Sequence, residues 1–340
     1  MKVGIAGSPQ SGKTTLFRLL TGTDTAVSQS NIGVMEVPDE RVNVLSRIFK
    51  PRKTTFARIG LVDIQAHKGQ DFLNSVRNLD VLIVVLGAFM GEAGVRESVE
   101  FVNAMETDFY VADLASVENR LEKLRANKAK PINQMEVPFL EKCKKALDQE
   151  LPLRNATYQP YETDFLSNFA FYTIKPVILA LNVSDEQLST GDYPGGEEIR
   201  HMPESKGYEP VIFSGIVEKE IGLLNEEDRA VFLKEYGLTE PGIARIARAA
   251  YSTLGLISFF TVGSDEVKAW TISRGTEARE AAGKIHTDLE RGFIRAEVVS
   301  FEDFSALGSV KACRDKGLVR LEGKDYVVKD GDIVNVRFNV

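Results

Sequence analysis

The chain is short of the residues that build secreted or metal-stapled proteins: in 340 residues there are two cysteines, one tryptophan and three histidines. Cys143 and Cys313 lie far apart, and without an export signal they are expected to be two reduced thiols rather than a disulfide. His201 and His286 have no Cys or His neighbour at ligand spacing, so neither is assigned to a metal. No apolar run reaches the roughly 18 residues of a membrane span, and the opening segment Met1–Gly7 is too short for a signal peptide. A cytoplasmic protein with no membrane partner is expected. Excess positive charge is missing too. The formal net charge is −7, and from Ile257 onward 13 Lys and Arg stand against 14 Asp and Glu. A coat of positive potential is excluded, while a local basic patch is permitted.

Hydrophobic residues make up 43% of the chain and charged residues 27%, the balance of a globular protein large enough for two or three cores. Short runs rich in Val and Ile occur at Val3–Ala6, Ile59–Val62, Val81–Leu86, Pro176–Leu181 and Pro210–Phe213. Bounded by polar or turn residues and separated by helical stretches, they predict buried parallel strands in a doubly wound α/β sheet. Ligands of such sheets sit at the C-terminal strand ends. Between about Glu97 and Ser167 the strand runs stop. There Val117, Leu121 and Leu124 recur at helical spacing, as do Phe139, Leu140, Cys143 and Leu147 after a break containing Pro131 and Pro138, which predicts an antiparallel helical hairpin. Past Leu256 the pattern changes to short alternating runs at Ser258–Val262, Lys268–Ile272, Ile294–Ser300, Asp325–Val328 and Ile333–Phe338, with a helix near Glu277–Ile285. Lys329–Asp332 reads as a turn, Gly331 supplying positive φ. A small α+β domain is expected.

Gly7-Ser8-Pro9-Gln10-Ser11-Gly12-Lys13-Thr14-Thr15 fits the P-loop pattern in full and lies between a strand run and a helix, the context that separates the motif from a chance Gly-rich turn. Its glycines let backbone N–H groups turn toward a β-phosphate. Lys13 would reach the β- and γ-phosphates, and the Thr14 hydroxyl would ligate Mg²⁺. Asp63 ends the run Ile59–Val62. It is either the acid that holds Mg²⁺ through its water shell or a cap or turn residue. Asn182-Val183-Ser184-Asp185 follows another strand run and is similar to the base-reading Asn-Lys-x-Asp signature, with Val183 replacing the Lys whose stem covers the base. The alternative is a polar turn after a strand. Ser214 and Gly215, after the next run, would supply backbone groups to the base.

These motifs, together with Ala269-Trp270-Thr271-Ile272, Ala282–Asp288, Gly292–Ala296, Glu322–Tyr326 and Val328–Asp332, resemble YchF-type ATPases, a branch of the Obg-related P-loop GTPases. The resemblance covers nearly the whole chain and is most specific after Leu256. It implies a G domain over residues 1–96 and 168–256, an inserted helical hairpin over 97–167, and a C-terminal β-grasp TGS domain over 257–340. It further implies ATP or GTP hydrolysis with Mg²⁺, a preference for ATP, and a ribosome or RNA contact through the TGS and helical domains. The family's Asp-x-x-Gly pattern has Ala66 here in place of glycine, and the loop that follows is shorter. His67 stands where many GTPases place a water-orienting Gln; it either orients or deprotonates water or is a solvated loop histidine. In the first switch, Thr25–Ile32, Val27 falls where a magnesium-binding Thr would stand, with Thr25 or Ser28 as substitutes. Lys284, Arg291 and Arg295 with Phe293 and Trp270 form either an RNA-facing patch or an amphipathic face over core aromatics. Two functions follow: a slow nucleoside triphosphatase with Lys13, Asp63 and His67 as its catalytic groups, or a nucleotide-dependent binding protein that hardly hydrolyses.

Overall fold

A computed structural model describes residues 1–22, 31–126, 130–132 and 134–339. The first-switch positions Thr25, Val27 and Ser28 lie outside the described residues. The chain packs as two units: residues 1–33 with 60–246, and residues 34–59 with 247–340.

Along the first half run β1 (Lys2–Gly7), α1 (Lys13–Thr21), β2 (Ile32–Val37), α2 (Glu40–Phe49), β3 (Lys53–Thr55), β4 (Ala57–Asp63), α3 (Gly69–Val76) and β5 (Val81–Gly87). Then follow α4 (Gly91–Arg125), α5 (Glu136–Asp148), α6 (Pro160–Asn168), β6 (Val177–Asn182), α7 (Asp185–Thr190), α8 (Gly196–Lys206), β7 (Glu209–Phe213), α9 (Gly215–Leu223), α10 (Glu226–Glu235) and α11 (Gly242–Thr253). The remainder holds β8 (Leu256–Thr261), β9 (Glu266–Ser273), α12 (Ala278–Ile285), α13 (Thr287–Arg291), β10 (Phe293–Ser300), α14 (Phe301–Leu307), α15 (Val310–Asp315), β11 (Arg320–Glu322) and β12 (Asp332–Phe338).

The first unit is built on a sheet of order β2-β4-β1-β5-β6-β7, in which β4, β1, β5, β6 and β7 are mutually parallel. All seven residues of β5 and all six of β6 are buried, which is why these strands read as continuous apolar runs rather than alternating ones. Each fully buried Val, Leu or Ile contributes about 1.5–3 kcal/mol. Leu16, Phe17 and Leu20 bury one stripe of α1, leaving the N-terminal end of that helix at the C-terminal edge of β1.

The expected hairpin is present. Val117, Leu121 and Leu124 of α4 meet Phe139, Leu140, Cys143 and Leu147 of α5 in one apolar cluster, which Phe165 of α6 also joins. Pro138 does not break the second helix but sits in its first turn, where a missing N–H has no intrahelical partner to lose. The buried Glu136 closes the pair: it binds Arg120 Nε at 2.7 Å and accepts from the Ile132 amide at 2.6 Å. About two thirds of the way along α4, Asp113 accepts from the Tyr172 and Thr173 amides and the Thr173 hydroxyl at 2.7–2.8 Å, fixing the chain as it enters β6.

The second unit has a mixed sheet of order β11-β10-β12-β8-β9-β3. Helix α12 packs Ala278 and Ala281 onto Ile257, Phe259, Ile272, Ala296 and Val298, the β-grasp arrangement of one helix on a mixed sheet. The expected strand Asp325–Val328 is not formed. Its backbone instead receives the first turn of α12, with Ala278 N donating to Tyr326 O at 2.8 Å, and pairs only through the single bridge Glu277–Val327. The strand that adds to this edge is Arg320–Glu322, and two short helices, α14 and α15, precede it. Gly331 has φ 90°, as the turn requires. Residues 34–59 are anchored in this unit. Arg41 pairs with Asp39 and Asp330 at 2.8 Å and lies over the Phe260 ring, while Phe49 stacks on Phe304.

Trp270 and Phe293 pack against the core of this unit, and the Trp270 indole N–H donates to Thr261 at 2.9 Å. Both rings stay partly exposed beside that core, and Lys284, Arg291 and Arg295 are exposed. Both cysteines are buried free thiols. Among the described residues no helix is long and apolar enough to cross a membrane.

Candidate functional site

The C-terminal ends of β1, β5, β6 and β7 open onto one cavity of about 700 Å³ in the first unit. Of the residues singled out in the sequence, Gln10, Gly12, Lys13, Thr14, Thr15, His67, Asn182, Val183 and Gly215 line it. The loop from Gly7 to Gly12 needs unusual backbone: Gln10 and Gly12 have φ of 63° and 95°. A Cβ on Gly12 would come within 2.2 Å of the Asn182 amide nitrogen, and one on Gly7 within 2.7 Å of the Val85 carbonyl. Glycine is required at both places by close approach. Helix α1 begins at Lys13 without a side-chain cap, so its first N–H groups face the cavity, where the helix dipole favours an anion.

Lys13 is buried. Its ammonium donates to the Ile64 carbonyl at 2.5 Å and lies 3.9 Å from the Asp63 carboxylate. Burial pushes the Lys13 ammonium down, against the pull of Asp63; burial likewise pushes the Asp63 carboxyl up, against Lys13, Gln65 and His67. Both groups are thus held where water is scarce and a ligand's charge would be felt strongly. Asp63 Oδ1 is buried without a hydrogen-bond partner. Asp63 lies behind the cavity lining, and its oxygen free of hydrogen bonds beside the P-loop lysine, together with the exposed Thr14 hydroxyl that lines the cavity, is a set of hard oxygens that suits a magnesium ion with its waters.

Asn182 joins the two halves of the cavity. Its Nδ2 donates to the Ser11 carbonyl at 3.1 Å and its Oδ1 accepts from the Gly215 amide at 3.0 Å, so the end of β6 is tied to the P-loop on one side and to the loop after β7 on the other. Val183 is buried in the core cluster, and its amide donates to Phe213 O. Ser214 and Ser11 are fully buried, each with a hydroxyl that has no partner, and neither lines the cavity. Asp185 is exposed at the start of α7 and also lies outside the lining. Ser184 caps α7 by accepting from the Gln187 amide at 3.1 Å. His67 is exposed on the loop between β4 and α3, and Ala66 is half-buried against the core.

Residues 256–339 match a family model, YchF-GTPase_C, described as a protein of unknown function (DUF933). The "Ribosome-binding ATPase YchF" of Bacillus subtilis (strain 168) is 35% identical, with 100% of each chain covered. The chain belongs to the YchF family. A second YchF, from Escherichia coli O157:H7, is 36% identical over 100% of this chain and 99% of its own. The solved structure of the Schizosaccharomyces pombe YchF GTPase has a TM-score of 0.88 and 28% identity, covering 99% of this chain and 97% of that one. The resemblance read from the P-loop and the residues after Leu256 is therefore correct, and so is the fold class it implied.

Relative to the residues given a role in the sequence reading of the YchF motifs, the cavity adds Ser8 and Pro9 of the P-loop and Gln65, Phe89, Ser184, Ile216 and Lys219. Gln65 lies inside the Asp63–Ala66 pattern, and Ser184 inside the Asn182 motif. Phe89 follows β5 by two residues, and Lys219 stands one helical turn after Gly215, so position after a strand end was the available signal for each.

Proposed function

We propose that the chain is a magnesium-dependent P-loop nucleoside triphosphatase that binds ATP or GTP in this cavity and hydrolyses it slowly. The observation that carries the reading is the buried Lys13–Asp63 pair beside a fully formed P-loop, in which the Asp63 oxygen facing Lys13 accepts no hydrogen bond. Backbone N–H groups from Gly7 to Thr15 would hold the phosphates, and Lys13 would move from the Ile64 carbonyl to the β- and γ-oxygens. Thr14 directly, and Asp63 through water, would hold Mg²⁺, whose charge would offset that developing on the phosphoryl oxygens. His67, which is exposed and lines the cavity, would orient the attacking water.

ATP is taken ahead of GTP, because Asp185, the one carboxylate suited to guanine's donors, is outside the cavity lining. As a functional division we retain a G domain over 1–96 and 168–256, a helical insertion over 97–167 and a TGS domain over 257–340. The packing units are cut differently, with residues 34–59 belonging with 247–340. The relatives' names, which state ribosome binding, support a ribosomal partner, and such a partner in turn supports a cytoplasmic location. The exposed Lys284, Arg291 and Arg295 and the surface of the hairpin are the surfaces offered for that contact.

Ala66 favours a second reading, a nucleotide-dependent binding protein with almost no turnover, since a half-buried Ala restricts the backbone rotation that a glycine allows there. Titration of nucleotide-free protein with ATP and GTP, followed by single-turnover hydrolysis, tests both. Failure to bind either nucleotide refutes the site; binding with hydrolysis no faster than in buffer selects the second reading.

A further inference from the structure

The cavity has a phosphate end and a base end. The phosphates are fixed at Lys13 and Thr14, so a nucleotide extends toward the C-terminal ends of β6 and β7. That end is lined by Phe89, Val183, Ser184, Ile216 and Lys219, and no Asp or Glu lines any part of the cavity. Lys219 is exposed, and among the described residues no hydrogen bond or ion pair engages it. Asn182 spends one of its two Nδ2 N–H donors on the Ser11 carbonyl and accepts from the Gly215 amide at Oδ1, so one N–H donor of that side chain remains for the base and carries no charge.

We propose that Lys219 is a specificity-determining residue that donates from its ammonium to an acceptor atom on the edge of the purine base. The inference rests on the nucleotide reading of the cavity and adds to it the sign of the charge that meets the base. A cation finds an acceptor on either purine, N1 of adenine or O6 of guanine. Guanine, however, also presents donors at N1 and at its 2-amino group, and a base end without a carboxylate leaves these without a charged acceptor. The consequence is a site that accepts adenine and penalises guanine through what Lys219 cannot provide.

The test measures dissociation constants of ATP, GTP and inorganic tripolyphosphate, each with Mg²⁺, for the wild-type full chain and for Lys219→Met, Lys219→Arg and Lys219→Glu. Because Lys219 is exposed, the variants are expected to fold. Lys219→Met should weaken ATP by about tenfold, the effect of one accessible charge-assisted hydrogen bond, and leave tripolyphosphate within about twofold. Lys219→Arg should retain most of the ATP affinity. Lys219→Glu should shift the ATP-to-GTP preference toward GTP by about tenfold or more, since it supplies the missing acceptor. Unchanged ATP affinity in Lys219→Met overturns the proposal, as does an equal loss for ATP and tripolyphosphate, which would mark Lys219 as background charge. A wild type that binds neither ATP nor tripolyphosphate overturns the nucleotide reading itself, and this inference with it.

Discussion

Replacing Asn182 by Ala tests whether the tie between the P-loop and the loop after β7 matters energetically. The side chain is 6% exposed and makes one hydrogen bond at each end, to the Ser11 carbonyl at 3.1 Å and from the Gly215 amide at 3.0 Å. Truncation leaves two buried backbone groups unpaired, each at a cost of about 1–3 kcal/mol. Because Asn182 borders an open cavity, water can enter the space and recover part of that cost. The expected loss is therefore about 2–3 kcal/mol, or roughly 30- to 150-fold in the folding equilibrium. Gly12 packs directly on the Asn182 amide nitrogen, so the P-loop should also lose its fixed shape and bind nucleotide more weakly. Asn182→Asp is the sharper comparison: it keeps an acceptor for Gly215 but turns a carboxylate oxygen toward the Ser11 carbonyl, and should be at least as unstable. Urea denaturation followed by far-ultraviolet circular dichroism gives the stability, and titration with a fluorescent nucleotide gives the affinity. An Asn182→Ala variant within about 0.5 kcal/mol of wild type and with unchanged affinity would show that the bridge carries neither stability nor loop geometry.

Lys13→Ala should fold and yet lose triphosphate binding and hydrolysis, since it removes the cation at the phosphate end; equal ATP and GTP affinities in variant and wild type, by calorimetry, would defeat the P-loop assignment. Asp63→Ala should lower the magnesium dependence of triphosphate affinity more than the affinity measured with chelator present, and equal changes in both conditions would instead indicate a purely structural carboxylate. Burial raises the Glu136 carboxyl, but the Arg120 hydrogen bond and the Ile132 amide outweigh it and hold the group below its ordinary 4.5. A folded-state pKa below the unfolded one means stability fully present above about 4.5 and lost as pH falls below it. The stability gap between wild type and Glu136→Gln should therefore narrow on acidification, and a gap that stays constant in urea titrations from pH 7 to pH 3 would contradict the pairing.

The parallel sheet was legible because its strands are buried on both faces, so that Val81–Leu86 and Pro176–Leu181 announce themselves as unbroken apolar runs. The P-loop was legible because its chemistry is contiguous in sequence. Asn182 was legible as part of a motif but not as a bridge, because its partners, Ser11 and Gly215, are supplied by loops far away in the chain. Lys219 carried only the weak signal of standing one turn after the loop that ends β7; the fold sets that turn of α9 at the cavity rim. The run Asp325–Val328 has strand composition, yet its Tyr326 carbonyl serves the first turn of α12 and its Val328 amide donates to Thr276, a tertiary demand that local propensity does not register. Arg320–Glu322, three residues with no alternation to display, became a strand by pairing alone.

Helix α4 runs without interruption for 35 residues, about 52 Å at 1.5 Å per residue. Near its start, the Ser98 hydroxyl accepts from the Gly87 amide at 3.0 Å and touches the Ser8 hydroxyl of the P-loop at 3.5 Å, so the phosphate-binding loop rests on this helix. Ser98 is thereby a fulcrum with roughly 40 Å of rod beyond it. A rotation of about 5° there, of the size that a packed helix absorbs through small side-chain adjustments, sweeps the distal end through roughly 3–4 Å. Leverage of this kind needs no hinge in the rod; it needs only that the helix stay whole.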